Sequence, residues 1–456
     1  MTAPATGRGD GVSPSPSAAP AVAPPRPPEH VPWAPALDPL LLAAFEWLDG
    51  AGIPWVLLRP PDQVAGADGD LDLLVGSTDV AAIGRLLQPL GFVRWPARGH
   101  ASHRFLVARD GSTGRFLKLD LVSELAFGPR FELPVPAPVT RAVLDSRCRE
   151  GGVWIPAPGD RLWTAGLHLL LDRPPIEDAA IARVARTFEP ADGGAPSPLV
   201  AWTERTVPGA DRALRAAIIR RDPDALERLA ERVRAVVFRR QPLAVARRFV
   251  TLPLLRRLGR LPFLSGRPGL EVALLGPDGA GKSSVIDRLR RSWPGSVRGV
   301  YLGSYPVRPP GRHGRRPLSV PGLSLTIRLA RIWTAWFAGR LHALRGGLTI
   351  QDRHPLETGL SREPQGRKDA VRRAIIARSC PWPDLVVVLD APAPLLFERK
   401  PEHPLATVEQ QRRDYRTLIG HPGVVVVDAS PDAETVAVAI GDAVWTVLRD
   451  RLRTQR

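Results

Sequence analysis

Apolar residues recur along this chain with two periods, and the change from one to the other divides it into segments. From Leu37 the run LDPLLLAAFEWLDGAG places apolar side chains at helical spacing and ends in glycines, which predicts a helix. Apolar stretches at 53–58 (IPWVLL), 70–75 (DLDLLV) and 116–122 (FLKLDLV) predict strands, with a helix at VAAIGRLLQPLG between the last two. Residues 37–159 therefore read as an α+β unit. Over 160–250 the pattern turns to Arg-rich helical segments, among them DRLWTAGLHLLLDR and PDALERLAERVRAVVFRR, and predicts a helical region. A stretch punctuated by Pro and Gly, 251–268, predicts a linker.

Five strand candidates follow, at 270–276, 297–303, 348–353, 384–390 and 423–429, separated by segments long enough for crossovers. The last two, DLVVVLD and GVVVVDA, have the unbroken apolar cores of strands covered on both faces. Residues 269–456 thus predict a doubly wound α/β domain on a five-stranded parallel sheet. Residues 1–36, dominated by Pro, Ala, Ser and Gly, cannot bury enough surface to offset chain entropy and read as a disordered tail.

Composition changes this picture little. With 456 residues, 44% hydrophobic and 24% charged, the chain has the make-up of a globular protein of two or three domains. Two cysteines, Cys148 and Cys380, are too few for a disulfide framework and fit a reducing compartment. No long uncharged apolar run and no basic start leading into an apolar core is present, so the expectation is a cytoplasmic chain without a membrane span. The segment Leu323–Leu344 is apolar and Trp-rich but interrupted by Arg328, Arg331 and Arg340. It reads as a helix packed on its own sheet, with peripheral membrane contact as the alternative. The net charge of +17 raises nucleic acid as a partner, yet the arginines are scattered rather than clustered, which favours a solvated basic surface. A homodimer is compatible with the sequence. Only four basic residues are lysines (Lys118, Lys282, Lys368 and Lys400), so a lysine retained at 282 marks a place for a compact ammonium.

That lysine lies in GPDGAGKSS, directly after one predicted strand and before a predicted helix. Gly276, Gly281, Lys282 and Ser283 fit the G-x-x-x-x-G-K-S/T spacing of a phosphate-binding P-loop. Glycines let the loop wrap so that main-chain amides point at phosphate oxygens, while the helix N-terminus adds its positive end. Gly276, Asp278, Gly279, Ala280, Gly281, Lys282, Ser283 and Ser284 are the candidate nucleotide-binding residues, with the Ser283 hydroxyl a candidate magnesium ligand. Asp352 and Arg353 follow the strand at 348–353, and an arginine there can stabilise charge on a transferring phosphoryl group.

The P-loop carboxylate Asp278, the Asp352–Arg353 pair and PDLVVVLDAP followed by FERK together resemble the thymidylate kinase superfamily, over roughly residues 269–450. The resemblance implies a magnesium-dependent kinase using ATP and a small-molecule acceptor. It places Asp278 at the acceptor sugar, and Asp352 and Arg353 near the acceptor phosphate and the magnesium shell. It also implies a mobile lid between the fourth and fifth strands, with Arg399, Lys400, Arg412 and Arg413 as candidates to close over the donor phosphates. His354 stands where the family commonly has Tyr, and the segment that holds thymidine monophosphate is not found, which leaves the acceptor open.

A second carboxylate group lies near the N-terminus. In GDLDL, Asp70 and Asp72 share one strand face, and Asp120 on another strand could join them to bind magnesium through oxygen. This resembles the nucleotidyltransferase superfamily over roughly 40–170, although LLRPPD replaces the Gly-Ser pair that normally precedes the acidic motif. The alternatives to a kinase are therefore nucleotidyl transfer at Asp70, Asp72 and Asp120, or a nucleotide-regulated binding protein.

Overall fold

The computed structural model describes residues 37–59, 71–172, 175–187, 197–259, 261, 266, 268–303, 323–360 and 365–454. The tail at 1–36 and Asp70 lie outside the described residues.

The first half is built on strands β1 (Trp55–Leu57), β2 (Leu71–Val75), β3 (Val93–Trp95), β4 (His103–Arg109) and β5 (Phe116–Val122), in the order β1-β2-β5-β4-β3. β2 and β5 run parallel, and the other neighbours pair antiparallel. The sequence pattern anticipated β1, β2 and β5 but neither β3 nor β4. β3 has only three residues, and β4 opens on the polar pair His103–Arg104, so neither shows a clear period. Two small hairpins follow, β6 (Ala126–Phe127) with β7 (Leu133–Pro134) and β8 (Cys148–Glu150) with β9 (Val153–Ile155). Helices from Pro158–Leu171 to Pro242–Leu258 pack their apolar sides on one cluster that includes Trp163, Leu214 and Leu226.

The expected linker at 251–268 is corrected in part, because the helix Pro242–Leu258 runs into it with Pro253 inside. A proline there removes one backbone hydrogen bond. The helix is held regardless by burial of Val245 and Leu252, and by Arg256 Nε donating to Gly99 O at 2.9 Å.

The second half is mixed α/β. Strands β10 (Leu270–Leu275), β11 (Val297–Tyr301), β12 (Leu348–Asp352), β13 (Leu385–Asp390) and β14 (Val424–Asp428) form a five-stranded sheet in the order β11-β12-β10-β13-β14. Every pairing is parallel, so the strand ends that follow β10 and its neighbours lie on one edge. Central β10 is buried at all six positions, as a strand covered on both faces must be.

The two halves share a core. Val93, Trp95, Phe105 and Val107 of the first sheet belong to the same apolar cluster as β10, β13 and the helix Ala433–Thr454. Phe116 sits edge-on to both Trp293 and Trp445, with ring centroids 5.2 Å away in each case. Arg109, its side chain 2% exposed, bonds Asp442 at 2.6 Å and the Val438 carbonyl at 3.0 Å. Among the described residues no helix is long and apolar enough to cross a membrane.

Candidate functional site

The central strand β10 ends at Leu275, and from Gly276 the chain turns sharply before the helix Lys282–Ser292. Glycine is required at two points of that turn. Gly276 has φ +148° and Gly279 φ +90°, and a Cβ on them would lie 2.6 Å from the carbonyls of Leu389 and Leu396 respectively. Gly281 caps the helix in the left-handed region at φ 82°. Ala280 is buried, whereas Ser283 and Ser284 are exposed in the first helical turn. The first amides of a helix have no intrahelical acceptor and carry the positive end of its dipole, so this turn is built to face an anion.

Lys282 is only 8% exposed, and its ammonium donates to the carbonyls of Gly276 at 2.8 Å and Pro277 at 2.9 Å. The cation is thus folded into its own loop. Burial is the main force lowering its pKa, and nearby Arg353 adds to it. Phosphate oxygens can take over both carbonyl contacts and also supply negative charge.

Asp352 ends β12 in register with Leu274 of β10 and Tyr301 of β11, beside the glycine loop. Arg353, the next residue, has φ 63°, a conformation that costs a non-glycine residue about 1–3 kcal/mol. Two carboxylates hold it there: Asp278 at 2.5 Å and Glu357 at 3.5 Å. These negative charges outweigh the effect of burial and push the guanidinium pKa upward. The sequence candidates Asp278, Lys282, Asp352 and Arg353 therefore converge at one place.

Three further groups join them without having been anticipated. Glu357 is 13% exposed, and burial raises its carboxyl to about 7 against the pull of Arg353 and Lys282. Tyr415, on the helix Leu405–Arg416, hydrogen-bonds Glu357; burial and that carboxylate push its phenol well above the usual range. Tyr301 ends β11, and its phenol is also raised by burial. A signal was present. The chain has three tyrosines, and two of them line this site.

Other candidates lie elsewhere. Arg399 donates to the carbonyls of Ala429 at 2.6 Å and Ser430 at 2.8 Å, so it ties a helix end to the loop after β14 instead of standing over the glycine loop. Arg412 pairs with Asp390 at 2.8 Å, Arg413 bonds Gln410, and Lys400 pairs with Glu402. None of these lid candidates bonds the glycine loop in this conformation. His354 is 2% exposed and accepts from the Leu356 amide through Nδ1, and burial lowers its pKa to about 4. It braces the turn as a neutral ring.

In the first half, parallel pairing sets Asp72 of β2 beside Asp120 of β5. Each already has a basic partner, Arg59 on Asp72 at 2.6 Å and His103 Nδ1 on Asp120 at 2.7 Å. Asp120 is 6% exposed, and its second oxygen, Oδ1, is buried without a hydrogen-bond partner among the described residues. Burial raises the Asp120 pKa, with His103 opposing. Both aspartates line a cavity of about 940 Å³ between the sheet and the helices Pro158–Leu171 and Asp178–Ala185. No cluster of three metal-ligating side chains occurs among the described residues.

No protein-family model matches the chain, and no curated protein does. Among solved structures, a thymidylate kinase from Candida albicans aligns with 39% of this chain and 92% of its own at 14% identity, with a TM-score of 0.28. A score of that size establishes neither a shared fold nor a shared activity.

Proposed function

We propose that the second half is a P-loop kinase of the thymidylate kinase-like type, transferring a phosphoryl group from ATP to a small-molecule acceptor. One observation carries this reading: a glycine loop at the carboxyl edge of a parallel sheet holds a buried lysine, with an Asp–Arg pair anchored within the same loop. Ligand sites of open α/β sheets occupy that edge.

In this scheme the amides of the loop and first helical turn bind the donor phosphates, and Lys282 exchanges its carbonyl partners for phosphate oxygens. Arg353 brings a fixed positive charge that needs no rearrangement during transfer, because Asp278 and Glu357 already orient it. Asp278 in turn offers its second oxygen toward an acceptor hydroxyl, with His403 3.8 Å away. Ser283 and Asp352 supply hard oxygen donors suited to magnesium, which keeps several non-protein ligands and would neutralise charge between donor phosphates.

The acceptor is a nucleoside monophosphate or a sugar-related compound. A product-mass screen across both classes, with ATP and magnesium, tests the reading directly. Lys282→Ala is expected to weaken ATP binding at least tenfold and to abolish transfer. Lys282→Arg is expected to fail as well, since a planar fork cannot fit the buried ammonium position. ATP affinity unchanged in Lys282→Ala would remove this proposal.

A further inference from the structure

The cavity of the first half is untouched by the kinase reading. Its volume of about 940 Å³ is that of a site for a molecule of nucleotide or sugar-phosphate size. Part of its lining is apolar, including Val122, Leu125, Phe127 and Leu169. Five cationic side chains also line it (Arg59, Lys118, Arg161, Arg183 and Arg186), against three carboxylates (Asp72, Asp120 and Asp172). Every one of those carboxylates is already matched inside the protein: Asp72 by Arg59, Asp120 by His103, and Asp172 by His168 and the Gly128 amide. Two of the cations are engaged as well, Arg59 by Asp72 and Arg161 by Glu150 at 2.8 Å, so among the described residues the positive excess of the lining rests on Lys118, Arg183 and Arg186.

Two details point to a ligand with hydroxyl groups. Among the described residues Asp120 Oδ1 is a buried acceptor without a donor, a costly state that a ligand O–H would relieve. Asp120 Oδ2 on His103 Nδ1 favours the tautomer protonated at that nitrogen, leaving Nε2 as an acceptor on a ring that also lines the chamber. Phe131, 4.4 Å from the His103 ring centroid, fixes the ring plane.

We propose that this chamber is a second small-molecule site, which binds a hydroxyl-bearing phosphomonoester without a metal ion. The phosphate is held at the cationic rim, where Arg183 and Arg186 are exposed, and ligand hydroxyls meet Asp120 and His103. This site is separate from the glycine loop, so it stands or falls independently of the kinase proposal.

The test uses full-length protein carrying Lys282→Ala and Arg353→Ala in EDTA, which removes both cations of the glycine-loop site, and titrates ribose 5-phosphate and adenosine 5′-monophosphate calorimetrically. Saturable binding is expected, at least tenfold tighter than for ribose or adenosine. Arg183→Ala/Arg186→Ala, changes at exposed positions, is expected to weaken it a further tenfold. Asp120→Asn is expected to weaken phosphorylated and unphosphorylated compounds in proportion. A tenfold preference between the two phosphates would assign the ligand as sugar phosphate or nucleotide. Equal affinity for phosphorylated and unphosphorylated compounds would overturn the proposal. So would binding that appears only with magnesium, or pyrophosphate release from a nucleoside triphosphate that is lost in Asp120→Asn, which would make this a nucleotidyl-transfer site.

Discussion

Single residues carry the chemistry proposed for the second half, and their scarcity in the sequence was informative. In a chain that has drifted towards arginine, Lys282 stands out before any fold is known, and it proves to be buried with two carbonyl partners. Glu357 could not be recognised that way, because glutamates are common and its behaviour depends on burial, opposed by Arg353, Lys282 and Tyr415 arriving from three different elements. Its carboxyl titrates near 7 in the folded protein against an ordinary value near 4.5. The protonated form is thus favoured by folding, so its contribution to stability is complete below pH 4.5 and is lost as pH rises through 7. Glu357→Gln imitates the protonated state. Thermal melting across pH 4 to 8 is expected to show a fall in wild type, centred between those values, that is reduced in Glu357→Gln.

At the scale of elements, strands were legible where they carry long apolar runs. All five strands of the second sheet lie within a residue or two of their expected places; β10, β12 and β13 are buried on both faces, whereas β14, expected from GVVVVDA to be covered on both faces, is an edge strand that leaves Val425 and Val426 exposed. The short β3 and the polar-headed β4 were not legible, since they are completed by neighbours rather than by their own period. The turn after β10 was legible because its glycines answer to backbone geometry. Gly279→Ala, at φ +90° and with a Cβ destined for 2.6 Å from Leu396 O, is expected to destabilise by about 1–3 kcal/mol and to weaken ATP binding with it. Denaturant unfolding monitored beside nucleotide titration measures both. The lid expectation fared differently: Arg399 and Arg412 are engaged with a loop and a strand end, contacts that spacing along one segment cannot reveal.

For the whole molecule, the boundary between the two halves is the main feature that sequence pattern did not disclose. Trp293 and Trp445 of the second half enclose Phe116 of the first, and Arg109 reaches the final helix. Trp445 is 4% exposed, so Trp445→Ala should cost about 3–5 kcal/mol through lost burial and an unfilled cavity. Because the core is shared, wild type is expected to unfold in one transition seen by probes in both halves, and Trp445→Ala to separate that transition into two. Two independent transitions in wild type would show that the interface contributes little.

The sequence by itself determined the parallel sheet and the glycine loop with its lysine, because each depends on residues close together in the chain whose periods and backbone needs are local. Only the tertiary structure decided that Arg353 is shared by Asp278 and Glu357, that Asp120 and Asp72 belong to His103 and Arg59, and that the halves close over one core. Those outcomes turn on burial and on charges brought together from distant segments, and both exist only once the chain has folded.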